Sequence, residues 1–308
     1  MGMDRNLAAF LAIARCGTLT AAADVLRLAQ PTLTKRLKLL EDEYQAPLFE
    51  RQPRGMTLTA AGRHLFEHAT GIEHAYLQAR ETIEATKSRR LDVLRVGAGP
   101  LFRRAYLAGA FEKLRTEFPE TRLVLRADVH LRNLPLLRKG ELDVVFGALV
   151  RDDADETIEV RKMTDVHLGA LASVRHEILS GNGPVSAEDL ARTQWILYSD
   201  DPETTSMVRG YFIRHGLRPP DFTVQTTSYE FGLNLLATGK YVMPAPIELD
   251  TTFEPLGLTA LPLDEPLDEF PAGAYTRRSS LQYPIVPRLL DLVAEGVGAL
   301  PKRGAGGA

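Results

Sequence analysis

Cysteine is almost missing from this chain. Cys16 stands alone among 308 residues, which leaves no intrachain disulfide and fits a reducing cytosol. Long hydrophobic runs are missing too: no stretch approaches the roughly 18–20 apolar residues of a membrane span. Asp4 and Arg15 interrupt any basic-then-apolar leader. The expectation is a soluble cytoplasmic protein with no membrane partner. Catalytic patterns are equally scarce. The sequence carries no glycine-rich phosphate loop, no paired cysteine ligands and no nucleophile elbow, so no enzyme, cofactor or metal site is expected. Gly97-Ala98-Gly99 follows a strand pattern, but Phe102 occupies the place of the third glycine in a dinucleotide fingerprint. His64 and His68 are four apart and read as a solvated helix face rather than a metal pair. Cys16 reads as a small, partly buried side chain rather than a redox sensor. Asp152, Asp153, Asp155 and Glu156 lack ligand-loop spacing and read as a solvated connection.

Net negative charge argues against a polyanion partner until it is divided along the chain. Residues 1–90 hold 13 Lys+Arg against 10 Asp+Glu, a surplus of +3, whereas residues 91–308 hold 24 against 30, or −6. Only the first segment suits phosphate, and the surplus is small. Where its cations sit, together with dimerisation, must matter more than bulk charge.

That first segment has helical punctuation. Residues 4–16 place Leu7, Phe10, Leu11 and Ala14 at helical spacing, and Gly17 stops the run. Thr18 or Thr20 caps a short helix, Ala21 to Arg27. After the turn at Leu28-Ala29, Pro31 suits a first helical position, where its missing N–H costs nothing. The helix it opens runs to about Tyr44, with Leu33, Leu37, Leu40 and Tyr44 on one face. Two short helices joined by a tight turn form a helix-turn-helix. Thr34, Lys35 and Lys38 point away from the leucines, flanked by Gln30, Pro31, Thr32 and Arg36; hydroxyls and cations there suit base edges and phosphates. Residues 48–58 read as a wing, two extended runs around Pro53-Arg54-Gly55, with Arg54 placed to reach a minor groove.

The order Thr20-Ala-Ala-Ala-Asp-Val-Leu26, Gln30-Pro-Thr-Leu-Thr-Lys-Arg-Leu37, Leu40-Glu41, Pro47-Leu-Phe-Glu-Arg51 and Thr57-Leu-Thr-Ala-Ala-Gly62 resembles the DNA-binding head of LysR-type regulators. Gly62 matches that family's small residue after the wing. Residues 59–90 read as one helix, with Leu65, Ala69, Ile72, Tyr76, Ala79, Ile83 and Thr86 in alternating steps of four and three. The resemblance implies a linker helix through which heads pair, with Leu65, Ile72, Tyr76 and Ile83 as the seam.

Past Ser88-Arg-Arg-Leu-Asp92, strand and helix patterns alternate, which predicts a largely parallel α/β sheet. Strands are expected at Leu94–Ala98, Arg122–Ala127, Asp143–Gly147, Val166–Ala172, Trp195–Tyr198, Phe222–Thr226, Tyr241–Met243 and Ala272–Tyr275. The step Gly140-Glu-Leu-Asp143 again resembles the family. The expected organisation is an all-α-dominated winged helix-turn-helix domain (1–62), a linker helix (63–90) and a two-subdomain, periplasmic-binding-protein-like effector domain (91–300). Its first subdomain takes about 91–156 and 265–300, its second about 157–264, and 301–308 form a disordered tail.

A ligand site is expected where strands end and helices begin. Pro100, Leu101, Phe102, His130, Ser199, Thr204, Thr205, Thr226 and Thr227 all lie at such points. The resemblance implies effector contacts at Pro100, Leu101 and His130, although Leu101 replaces a hydroxyl residue common in the family. His130 reads equally as a ligand donor, a pH-responsive group or a structural loop histidine. Helix-start N–H groups with apolar neighbours favour an organic acid with a hydrophobic part. The leading reading is a regulator that binds double-stranded DNA as a dimer or tetramer under control of a small effector. An enzyme lacks its catalytic constellation here. A purely architectural DNA binder needs no hinged body.

Overall fold

The computed structural model describes residues 4–52, 55–88, 91–149, 155–181, 183–198 and 202–299. They fall into two units, Met1–Ser88 and Arg89–Ala308.

The first unit begins with α1 (Arg5–Cys16), α2 (Leu19–Leu26) and α3 (Gln30–Tyr44). Asp4 caps α1 by accepting from the N–H groups of Asn6 and Leu7, and Gly17 ends it at φ +71°. Thr18 caps α2. Leu33, Leu37 and Leu40 are buried against Phe10, Leu11 and Ile13, which explains the leucine spacing of α3. Tyr44 departs from the expected apolar face. It is 50% exposed, in the last turn before Gln45 closes the helix in a left-handed conformation. The wing is β1 (Phe49–Gln52) paired antiparallel with β2 (Gly55–Leu58). It is pinned to the turn after α1, because the Met56 N–H donates to the Gly17 carbonyl at 2.8 Å. A Cβ on Gly55 would stand 2.4 Å from that carbonyl oxygen, so this approach requires glycine. The motif residue Glu41 accepts from the Leu48 N–H at 2.9 Å and so sets the start of the wing.

α4 (Ala60–Ser88) follows, its first turn capped by the Thr59 hydroxyl, which accepts from the Gly62 N–H at 3.0 Å. Gly62 sits where a Cβ would meet the Leu48 carbonyl at 2.1 Å, so the helix start lies directly on the wing. The expected seam divides along its length. Ala69 is fully buried and Leu65 packs with it in the head's own core, whereas Ile72 is 52% and Ile83 61% exposed.

The second unit is built on a single sheet. Its strands are β3 (Val93–Ala98), β4 (Arg122–Ala127), β5 (Val144–Ala148), β6 (Ile158–Ser173), β7 (Gln194–Tyr198), β8 (Phe222–Thr226), β9 (Tyr241–Pro246), β10 (Leu258–Ala260) and β11 (Asp268–Arg277). Its main order is β4-β3-β5-β11-β6-β9-β7-β8, with β10 against β6. The triples β4-β3-β5 and β9-β7-β8 are parallel, as expected. The sheet as a whole is mixed, because β6 and β11 run antiparallel to each other and to their other neighbours.

These two long strands carry the chain from one half of the body to the other. β6 pairs with β11 over Ile158–Leu168 and with β9 over Leu168–Ala172. Its first half was illegible as strand because Glu159 to Asp165 is mostly polar and largely exposed, so no apolar alternation marks it.

Helices cover the sheet. α5 (Pro100–Phe102) continues through a π-helical turn, Arg103–Leu107, into α6 (Ala108–Glu117). α7 is His130–Lys139, α8 Ala187–Ala191, α9 Pro202–Arg214, α10 Tyr229–Leu236, α11 Asp250–Phe253 and α12 Ile285–Ala299. One core gathers Leu134, Leu137, Leu142, Val145 and Tyr275. A separate one forms around Trp195, Tyr211 and Phe212. Asp143, from the GELD step, is a buried structural tie. Its carboxylate accepts from the Arg95 N–H at 2.8 Å and from the Arg277 guanidinium at 2.6 Å, joining the β3, β5 and β11 regions.

Candidate functional site

Two places carry chemistry beyond packing. The first is the start of α3. Gln30, Pro31, Thr32, Lys35 and Lys38 are exposed, while Thr34 and Arg36 are half-buried. Gln30, Pro31, Thr34, Lys35 and Lys38 border one shallow depression. No side chain caps the helix, and the Thr34 hydroxyl donates back to the Gln30 carbonyl at 3.1 Å. Lys35 and Lys38 therefore share the side opposite the buried leucines, at the positive end of the helix, a surface suited to phosphate and base edges. Arg54, expected at the wing tip, lies outside the described residues.

The second place is a cavity of about 110 Å³ within the body. Pro100, Leu101 and Phe102 reach it from the turn after β3, and Val129 and His130 from the start of α7. Gly147 on β5 makes room for the histidine, since a Cβ there would stand 2.7 Å from that of His130. The long strands supply Val166 and Leu168 from β6 and Phe270 and Ala272 from β11. The other half of the body contributes Glu203, Thr204 and Met207 from α9, together with Tyr198 and Tyr229.

Of the residues expected to gather here, Pro100, Leu101, Phe102, His130 and Thr204 do so. Thr205, Thr226 and Thr227 are not among the lining residues. Thr226 accepts from the Ser228 N–H at 3.0 Å in a turn, and Thr227 is exposed. Ser199 lies outside the described residues. Sequence reading missed Glu203 and Tyr229. Tyr229 opens α10 directly after a strand end, the very signal applied to its threonine neighbours.

The electrostatics are local and paired. Nε2 of the buried His130 stands 3.1 Å from Oε2 of Glu203, linking the first half of the body to the second. Burial pushes the Tyr229 hydroxyl well above the ordinary tyrosine pKa, against the nearby positive charges of Arg104 and Arg103. Tyr198 is also raised, by burial first, with Arg103 opposing. The two rings meet edge to face at 5.1 Å. Arg103 approaches Glu230 at 3.7 Å, and Arg104 donates to the Thr252 hydroxyl at 2.9 Å.

No group of three or more His, Cys, Asp or Glu side chains suited to a metal occurs among the described residues. His64 and His68 are exposed on α4, and Cys16 is half-buried at the end of α1. No helix among the described residues is long and apolar enough to cross a membrane.

Two family descriptions match the chain: "Bacterial regulatory helix-turn-helix protein, lysR family" over residues 5–63, and "LysR substrate binding domain" over residues 88–298. The chain belongs to the LysR family. It is a LysR-type transcriptional regulator with a helix-turn-helix head and an effector-binding domain. A probable cat1 operon transcriptional activator of Acinetobacter lwoffii is 26% identical over 247 residues, 78% of this chain and 80% of that protein. The regulator TdcA of Escherichia coli K12 is 23% identical over 286 residues, 91% of this chain and 88% of its own. The fold is shared with full-length CbnR in complex with its target DNA, at a TM-score of 0.68, 21% identity, and coverage of 95% of this chain and 99% of CbnR.

Proposed function

We propose that this regulator reads double-stranded DNA with the N-terminal half of α3 and changes that reading when a small molecule occupies the body cavity. The observation that carries the proposal is the common exposure of Gln30, Thr32, Lys35 and Lys38 on a helix whose opposite face is buried. Thr34, Arg36 and Arg54 complete the contact set. The working division is a head over 1–62, a linker over 63–90 and an effector domain over 91–300. The protein acts in the cytoplasm as a dimer or tetramer, its heads paired through the exposed Ile72 and Ile83 with Tyr76. Leu65 supports the helix from the head's own core. Paired heads would place recognition helices on successive major grooves, with half-sites about 10 base pairs apart.

The test is the affinity of the full chain for an operator selected from random DNA, measured at several salt concentrations. Lys35→Ala should weaken binding. If Lys35 contacts phosphate, the slope of log affinity against log salt falls by about one. If it contacts a base, sequence preference relaxes at one position. Unchanged affinity and preference in the folded Lys35→Ala, Lys38→Ala double variant would remove α3 from the assignment.

A further inference from the structure

We infer that the cavity takes a small, uncharged, oxygen-bearing hydrophobic molecule, of the phenol, alcohol or ketone class, rather than a carboxylate. The inference rests on the reading of this cavity as the effector site and departs from the organic acid expected from sequence.

Size comes first. The space is about 110 Å³. A dry protein cavity of roughly 150 Å³ holds a benzene molecule, so the occupant is of that order or smaller. Charge comes second. The described lining residues include no lysine or arginine. The two nearby arginines stand behind the lining: Arg103 is shared between the Tyr198 side chain and Glu230, the latter at 3.7 Å, and Arg104 donates to Thr252 with its guanidinium 4.9 Å from the centre of the Phe253 ring. The ionisable pair in the wall, His130 and Glu203, already faces itself at 3.1 Å. A second carboxylate would meet Glu203 against a mostly apolar lining, with no lysine or arginine among the described lining residues to replace its lost water.

The third observation points to a ligand. The Tyr229 hydroxyl is buried and has no hydrogen-bond partner among the described residues, in a side chain only 4% exposed. Such a group is costly unless something else completes it. Burial keeps it protonated, so it offers a donor to an uncharged oxygen.

The experiment is calorimetry on the full-length protein at pH 7 with matched probes: phenol, benzyl alcohol and cyclohexanone against benzoate and cyclohexanecarboxylate. At least one neutral probe should bind more tightly than both acids. Tyr229→Phe should weaken it about 3–10-fold, the loss of one hydrogen bond. Filling the cavity with Ala148→Phe, or with Thr204→Phe if the first variant does not fold, should abolish binding. Tighter binding of an acid, itself lost on filling, would overturn the ligand class while leaving the site in place. Binding that survives a folded, filled variant would overturn the site. Failure of all three neutral probes would overturn the ligand class.

Discussion

The head and the body solve recognition in opposite ways. The head presents a contiguous stretch, residues 30–38, on the outside of one helix whose inner face is core. The body encloses its site with residues scattered from Gly99 to Ala272. An exposed helical face is dictated by local periodicity, so the residues left over after the leucines are assigned are the ones proposed to meet DNA. An enclosed cavity is dictated by topology. Its walls meet only because β6 and β11 each belong to both halves of the body.

This contrast makes different residues critical in the two regions. In the body the largest effect should come from the tie between distant strands. Asp143→Ala would leave the Arg277 guanidinium facing an empty place, and Arg277 is only 13% exposed. Breaking such a buried pair costs about 3–5 kcal/mol. Thermal unfolding should therefore show a body transition lowered substantially, with the head's transition unaffected. A loss below about 1 kcal/mol would mean that the sheet does not depend on this long-range tie.

Assembly comes next. Ile72→Asp places a charge in the exposed stripe of α4, where Ile72 has no role in the head's core. Light scattering should show monomers of folded protein. An intact dimer through the same helix would mean that its heptad pattern does not mark a pairing face.

The smallest of the three effects should be local to the head. Gly62→Ala would push a methyl group against the Leu48 carbonyl, 2.1 Å from the ideal Cβ position. Overpacking of this kind costs roughly 1–3 kcal/mol. The head should lose that stability in denaturant titration while the body's transition is unchanged. A neutral substitution would show that the junction of wing and helix yields easily.

What the sequence disclosed follows the same division. Thr18, one of two cap candidates for α2, the leucines of α3 and the glycine of the wing turn were readable because each acts within a few turns of chain, whereas the Asp4 cap of α1 was not read. In the body, strand ends were readable as places, but side-chain direction was not. Thr204 lines the cavity and its neighbour Thr205 does not, because adjacent helical positions point about 100° apart. Glu203 carried no signal of its own, since its partner His130 lies 73 positions earlier. The polar first half of β6 hid a strand for a related reason: its hydrogen bonds to β11 hold it, and apolar burial contributes little there.

The central claim is a division of labour, with DNA read by α3 and the signal received in the cavity. Effector binding can shift regulation only through different affinities for two arrangements of the protein. The most direct test measures operator affinity and footprint with and without saturating ligand, using the tightest-binding probe found by calorimetry. Wild type, His130→Ala and Lys35→Ala are compared. The account predicts that ligand changes the footprint or affinity of wild type, that His130→Ala binds DNA normally but loses the response, and that Lys35→Ala weakens DNA binding with ligand affinity unchanged. A full ligand response in His130→Ala, or a loss of ligand affinity in Lys35→Ala, would contradict it.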